Sequence, residues 1–282
     1  MKVFSKIYMA LVFLILYAPI LVVILFSFNA SGSLSRFTGF SMYWYQELFR
    51  NSEALSALKN SLILAVTSSL IATVLGTLAA FHLSRVRNRY YRRVVESVSN
   101  IPMMNPDIVT GVSMMLLFVG VATLLKLSSS LGFWTMLIAH TTFNLPYVIL
   151  SVLPKFRQMD KNLTEAALDL GCTPAQTFLR VELPAIMPGV ISGLMMGFTL
   201  SLDDFVISHF VSSPDFKTLP LYIYNQTAHE VKFSMYALCT LMIVAILLLL
   251  IAVNVAGSMG EYRARHHAKR FAKRLATGGN AK

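Results

Sequence analysis

Hydrophobic residues gather into six long runs, at Ile7–Phe28, Ser61–Leu83, Ile108–Leu125, Leu131–Leu153, Ile186–Val211 and Ser234–Ala256, with polar inserts between them. Each run is near the ~20 residues a helix needs to cross ~30 Å of hydrocarbon, so each is expected to be a transmembrane helix. The first run follows Lys2 and Lys6, as a signal peptide would. At 22 residues it is too long for the apolar region of such a peptide, and it is expected to be a retained span.

One polar insert, about 160–185, carries a pattern of its own. Leu163, Ala166, Ala167 and Leu170 recur at i, i+3, i+4 and i+7, one apolar stripe on a short helix. Asn162 can cap its start, and Glu165 falls in the first turn, where the helix dipole favours an acid. Gly171 is a stop signal. Thr173-Pro174-Ala175-Gln176 reads as a fresh N-cap, with Pro at the first helical position and a capping-box Gln. This second helix is expected to end near Leu183-Pro184. Two short helices meeting at a corner, one of them faced partly with alanine, let another surface come close.

Composition and charge narrow the class. Of 282 residues 56% are hydrophobic and 13% charged, which excludes an ordinary soluble domain. The net charge of +11 follows the topology. With the N-terminus cytoplasmic, the inner loops hold 18 of the 24 Lys and Arg residues, against 6 outside. That is the positive-inside rule, and it puts both termini and the 160–185 insert in the cytoplasm. The basic tail, 261–282, is read as an anchor to anionic lipid rather than a nucleic-acid site. Cys172 and Cys239 fall in a loop and a span, so no disulfide framework or metal spacing exists. Internal repeats and a second soluble domain are not expected, leaving one transmembrane domain over 1–282.

Several polar or aromatic residues sit where a membrane protein has reason to avoid them. In the first outer loop, Phe40, Trp44 and Leu48 share i, i+4, i+8 spacing, which suggests an interfacial helix. Trp44 is either part of an aromatic belt or a π face for a cation. Asn105-Pro106-Asp107 opens the third span, with Asn105 as a cap and Asp107 in the first turn, or as an acid near the inner end of a conduction path. His140 is expected to pack between helices, since no metal spacing surrounds it. Gly189, Gly193 and Gly197 form a small-residue face. Beyond them comes Ser201-Leu202-Asp203-Asp204-Phe205. Asp203 lies ~25 Å along the helix from Ile186 at 1.5 Å per residue. Carboxylates there cost about +2.5 kcal/mol or more each, so they should face a cavity or partner and mark a pathway. The alternative is an early helix end, with both acids in the outer loop.

Glu165-Ala166-Ala167, then three residues and Gly171, then nine residues and Val181-x-Leu183-Pro184, resembles the EAA loop of ATP-binding-cassette (ABC) importer permeases; only Val181 departs, replacing Ile. The segment Ser201–Phe205 with Thr218-Leu219-Pro220, and the resemblance of nearly the whole chain, is similar to the C-type permease of spermidine/putrescine importers. The resemblance implies an all-α, six-helix type I ABC importer permease forming half of a translocation pore. It implies a separate ATP-binding subunit dimer carrying ATP and Mg, a second, homologous permease and an extracytoplasmic polyamine-binding protein. Leu163, Glu165, Ala166, Ala167, Leu170, Gly171, Leu183 and Pro184 then form the ATPase-coupling set. Ser201, Asp203, Asp204, Trp44 and Asp107 are candidates for the substrate pathway. No phosphate loop G-x-x-x-x-G-K-[ST] occurs in the sequence, so this chain is expected to hold no cofactor and not to be an enzyme. Rival readings are an importer of another cationic or small solute, a secondary transporter, and an intramembrane aspartyl hydrolase. The last is disfavoured because neighbouring acids cannot converge on one atom as an acid/base dyad.

Overall fold

The structure, a computed structural model, describes residues 2–31, 36–126, 131–227, 232–248 and 251. Its helices in chain order are α1 (Lys2–Ser27), α2 (Tyr43–Arg50), α3 (Ser52–Arg85), α4 (Arg89–Met104), α5 (Asp107–Leu124), α6 (Phe133–Gln158), α7 (Lys161–Asp169), α8 (Pro174–Thr177), α9 (Leu183–Asp203), α10 (Val206–Val211) and α11 (Leu219–Thr227), followed by α12 (Phe233–Leu248). A π-turn, Phe178–Glu182, joins α8 to α9. Five helical stretches are long and apolar enough to cross a membrane: Phe4–Ser27, Ser52–Arg85, Asp107–Leu124, Phe133–Gln158 and Pro174–Asp203. With the shorter α12 they account for the six expected spans, and no strand occurs among the described residues. The basic tail and the end of the last run lie outside the described residues.

The chain forms two compact units. One takes the two ends of the chain, up to Ser52 and from Gln226 onward. In it α1 is an apolar rod whose side chains are almost all open, the state of a helix that meets lipid. The chain turns after α1 at Asn29, whose side chain accepts from Thr38 N (3.0 Å) and donates to the Arg36 carbonyl (3.0 Å). The expected interfacial helix is α2, shorter than its stripe: Leu48 is buried and Trp44 half-buried, but Phe40 lies outside the helix and is 78% exposed.

The other unit, Glu53–Asn225, is built around α6. Met136, Ala139, His140, Asn144, Val148 and Val152 of this helix are all at or below 1% exposure, so neighbours cover it on several sides. α3 supplies a face of Ser68, Ser69, Ala72 and Gly76. α9 runs antiparallel to α6, Gly189 beside Ser151 and Lys155, Gly193 beside Val148, Gly197 beside Asn144. A Cβ on Gly189 would stand 2.6 Å from Lys155 Cγ and 2.8 Å from the Ser151 carbonyl oxygen, so the absence of a side chain sets the helix spacing. Val148, Ile149, Val152 and Leu153 close one apolar cluster with Ala72, Ala80 and Ile186. Toward the other end of α6, Met136, Leu137 and Phe143 close a second with Leu64, Ile207 and Val211.

Four sequence expectations are corrected here. α7 is capped by Asp160, which accepts from Asn162 N at 3.0 Å, so Asn162 is already helical. The second short helix does not end at Leu183-Pro184. Proline breaks a helix by lacking an N–H and crowding the preceding turn, and here the π-turn widens that turn, with Leu183 N reaching the Phe178 carbonyl, so the helix continues as α9. The fifth span does not continue to Val211: α9 stops at Asp203, Asp204 is extended (ψ 119°), and α10 starts afresh. At α5 the cap position is Pro106, and Asn105 closes α4 instead.

Replacing Gly189 by Val is expected to destabilise the bundle by ~1–3 kcal/mol, because the blocking atom is backbone and cannot turn aside. A fall in the thermal unfolding midpoint of the detergent-purified protein checks this, with Gly120→Val, where a Cβ meets open space, as the control.

Candidate functional site: a docking corner and a set of membrane acids

The corner between α7 and α8 is fixed by local chemistry. Gly171 has φ +85°, a left-handed conformation that suits glycine. Around it Cys172 N donates to the Ala167 carbonyl (3.1 Å) and Gly171 N to the Leu168 carbonyl (2.9 Å), the paired bonds of a Schellman end. Thr173 and Gln176 then cap α8 reciprocally: Gln176 N donates to Thr173 Oγ1 (3.3 Å) and Thr173 N to Gln176 Oε1 (3.0 Å).

Leu163, Glu165, Ala166 and Leu170 are open on the surface of α7, with Leu170 86% exposed. Ala167 departs from the expected set. It is 7% exposed and turned toward its own chain, where its small size admits close packing. Leu183 also faces inward, packed on the cluster that holds Phe156 and Ile186, while Pro184 stays exposed at the base of α9. Sequence reading passed over Glu182, the unnamed position inside Val181-x-Leu183-Pro184. It is 2% exposed, pairs with Arg85 and accepts from Thr164 Oγ1 of α7. Its signal was a lone acid between apolar residues in a helix start.

The membrane acids separate from one another. Asp204 is nearly enclosed (side chain 8% exposed). Its Oδ1 accepts from Ile207 N at 3.2 Å and its Oδ2 from Ser208 N at 2.8 Å, so it caps α10. His140 Nε2 lies 3.5 Å from Asp204 Oδ2 and 3.2 Å from Ser208 Oγ. Ser68 Oγ donates to Ser201 Oγ (3.0 Å), which meets His140 Nδ1 at 2.8 Å. Ser201 and Asp204 therefore belong to one buried network through α3, α6, α9 and α10, and His140 is its centre. One turn along α6, Asn144 is fully buried and neither amide atom finds a hydrogen-bond partner among the described residues. Asp203, in contrast, is exposed, because α9 ends between the two acids and sends them apart.

Asp107 is deeper than the sequence placed it. α4 precedes it as an unforeseen helix of 16 residues. Glu96 of α4 pairs with Arg157 at the end of α6, Asp107 is within electrostatic reach of Tyr147 near the middle of α6, and Met114 and Phe118 of α5 pack on the cluster of Met136 and Leu137. α4 and α5 together thus run antiparallel to α6, broken at Asn105-Pro106. Asp107 sits at that break, exposed and level with the middle of α6 rather than near the inner end. Sequence reading missed α4 because Arg89, Arg92, Arg93 and Glu96 interrupt its apolar positions.

Trp44 belongs to the other unit. Its Nε1 donates to the Asn29 carbonyl at 2.7 Å and its ring packs on Phe233, centroids 5.4 Å apart. These contacts make it a brace between the turn after α1 and the start of α12. No group of three or more His, Cys, Asp or Glu side chains suited to a metal occurs among the described residues.

The helix order and the cytoplasm-type corner between α6 and α9 define a class, the membrane subunits of type I ABC importers. A subunit of a bacterial ABC transporter involved in alginate import superposes with a TM-score of 0.72 at 16% identity, covering 93% of this chain and 95% of that one. The MetNI methionine transporter gives 0.61 at 18% identity, covering 78% and 99%. Residues 72–257 match the binding-protein-dependent transport system inner membrane component family, and the chain belongs to it. It is a multi-pass protein of the inner membrane. It is 38% identical over 234 residues to the putrescine transport system permease protein PotI of Escherichia coli (strain K12), covering 83% of each chain. It is 38% identical over 245 residues to the spermidine/putrescine transport system permease protein PotC of the same strain, covering 87% of this chain and 90% of that one.

The two neighbouring acids should respond differently to substitution. Asp204→Ala removes both capping hydrogen bonds at the start of α10 and is expected to cost about 0.5–2 kcal/mol, seen as a lower unfolding midpoint. Asp203→Asn, at an exposed site, should leave that midpoint unchanged.

Proposed function

We propose that this chain forms one membrane half of an ATP-driven importer of polyamines. The observation that carries the reading is the 38% identity to putrescine and spermidine/putrescine permeases over more than four-fifths of the chain. The exposed corner of α7 supports the energy-coupling part. In this reading Leu163, Ala166 and Leu170 seat in a groove on an ATP-binding subunit dimer, which binds ATP and Mg, and Glu165 meets a basic residue there. Ala167 and Leu183 hold the corner in shape from within, Gly171 makes its turn, and Pro184 lies at the base of α9. The distribution of Lys and Arg favours a cytoplasmic corner and cytoplasmic termini. The chain itself carries out no catalysis. The basic tail meets lipid, not nucleic acid.

Asp203 and Asp107 are the acids of the substrate pathway. Both are exposed on a chain whose pore is completed by a second, homologous permease, and an extracytoplasmic binding protein delivers the substrate. Polyamines carry several positive charges, which carboxylates match. Asp204, with Ser201 and His140, shapes the end of α9 so that Asp203 points away from the core. Trp44 acts as a brace. Closure of the ATPase dimer would move the corner and, through α6 and α9, reorient the acids.

The test is the complex purified with its ATPase, second permease and binding protein, in proteoliposomes. Putrescine or spermidine should stimulate ATP hydrolysis; stimulation by other cations alone would keep the importer and replace the substrate. Asp203→Asn is expected to raise the half-saturating polyamine concentration about ten-fold or more, from the ~1.5–3 kcal/mol of a hydrogen bond to a charged group. Glu165→Lys should leave the permease pair assembled but abolish substrate-stimulated hydrolysis; normal uptake would refute the docking role.

A further inference from the structure

We propose that Glu182 is the pivot that passes movement of the docking helix α7 to the membrane spans α3 and α9. This rests on the reading of α7 as the helix that meets the ATPase, and it adds a positioning residue that reading does not contain.

Glu182 is the last residue of the π-turn, directly before α9. One oxygen, Oε1, accepts from Arg85 Nη2 at 2.7 Å and from Thr164 Oγ1 at 3.0 Å. Arg85 is the last residue of α3, and Thr164 is in α7. The Arg85 guanidinium also lies 4.2 Å over the ring of Phe81. Phe81 in turn meets Phe178 of the same π-turn (4.7 Å between centroids) and Phe156 of α6 (5.9 Å). One carboxylate thereby ties the docking helix to the ends of two spans, beside a third.

A buried carboxylate holds its partners strongly, since losing one leaves a charge with no water to replace it. When α7 is displaced, Thr164, Glu182 and Arg85 therefore move together. Along the chain α7 reaches α9 through the Gly171 corner and α8, a path that can bend. Through Glu182, a pull on α7 acts directly on the base of α9 and the end of α3. The second oxygen, Oε2, is buried with no hydrogen-bond partner among the described residues. A half-paired buried carboxylate gains by any rearrangement that brings it a donor, as a pivot between two arrangements requires. Folding alone does not call for an acid here: Arg85 is 46% exposed at its side chain and can be solvated by itself, and an apolar residue would fill the site between Val181 and Leu183.

The experiment uses the complete complex in proteoliposomes and reads substrate transported per ATP hydrolysed, with subunit stoichiometry. Thr164→Val removes only the tie to α7; Glu182→Met removes the charge and keeps the bulk. Both are expected to assemble with normal stoichiometry and to transport about five-fold less, or lower still, per ATP. Unchanged transport per ATP in Thr164→Val overturns the proposal, and this variant decides should Glu182→Met fail to assemble. A parallel complex with Leu170→Cys in a Cys172→Ser background, treated with a thiol–amine cross-linker, tests the docking reading by itself. A cross-link to the ATPase with unchanged coupling in Thr164→Val defeats the pivot alone. No cross-link defeats the docking reading and the pivot with it.

Discussion

The close antiparallel contact of α6 with α9 is the constraint on which the rest of the molecule depends. It is made by glycine: at Gly189 the neighbouring helix lies where a side chain would be. In lipid there is little hydrophobic gain in bringing two apolar helices together, so close packing and interhelical hydrogen bonds must hold them. The glycine face supplies the first. His140 and Ser201, on these same two helices, supply the second at 2.8 Å. Because the helices are continuous with the corner on one side and with the acids on the other, their spacing sets the geometry of both.

That arrangement explains how one chain combines two kinds of polar residue in its membrane part. Buried ones are paired and hold shape: Ser68, Ser201, His140, Ser208 and Asp204 satisfy one another across four helices. Open ones, Asp203 and Asp107, have no such duty. The helix end after Asp203 separates two acids that are adjacent in sequence, one into each class. Asn144 is one of the exceptions, with Thr77 and Thr141, buried polar groups with no hydrogen-bond partner among the described residues, and it stands beside Gly197 on the α6–α9 contact where a small shift of either helix would alter its surroundings.

Much of this was legible from the chain alone. The six spans could be read because apolar length is a property of single segments, and the corner because caps act over a few residues: Thr173, Gln176 and Gly171 do in the structure what their spacing implies. What escaped depends on partners distant in sequence. The apolar stripe of α7 shows four positions, but only packing tells that Ala167 is turned inward. Proline at 184 announces a stop, and the π-turn that cancels it leaves no local signal. α4 reads as a charged loop until Arg157, 61 residues further on, is seen to take Glu96. Trp44 reads as either a cation platform or part of an aromatic belt, and its role as a brace shows only once Asn29 and Phe233 are found against it.

The π-turn joins these threads. A straight helix from Pro174 to Asp203 would place a regular turn before Pro184 and meet the proline's clash. A full break there would free the corner from the span. One widened turn does neither: it keeps a continuous rod of 30 residues while turning the face presented below it, so that Phe178 and Glu182 reach toward α3 and α7 while Ile186 enters the core beside Val152. Wide turns of this kind are uncommon and concentrate at functional positions. Here Phe178 meets Phe81 near the end of α3, Glu182 holds both Arg85 of α3 and Thr164 of α7, and the turn runs straight into the glycine-packed span.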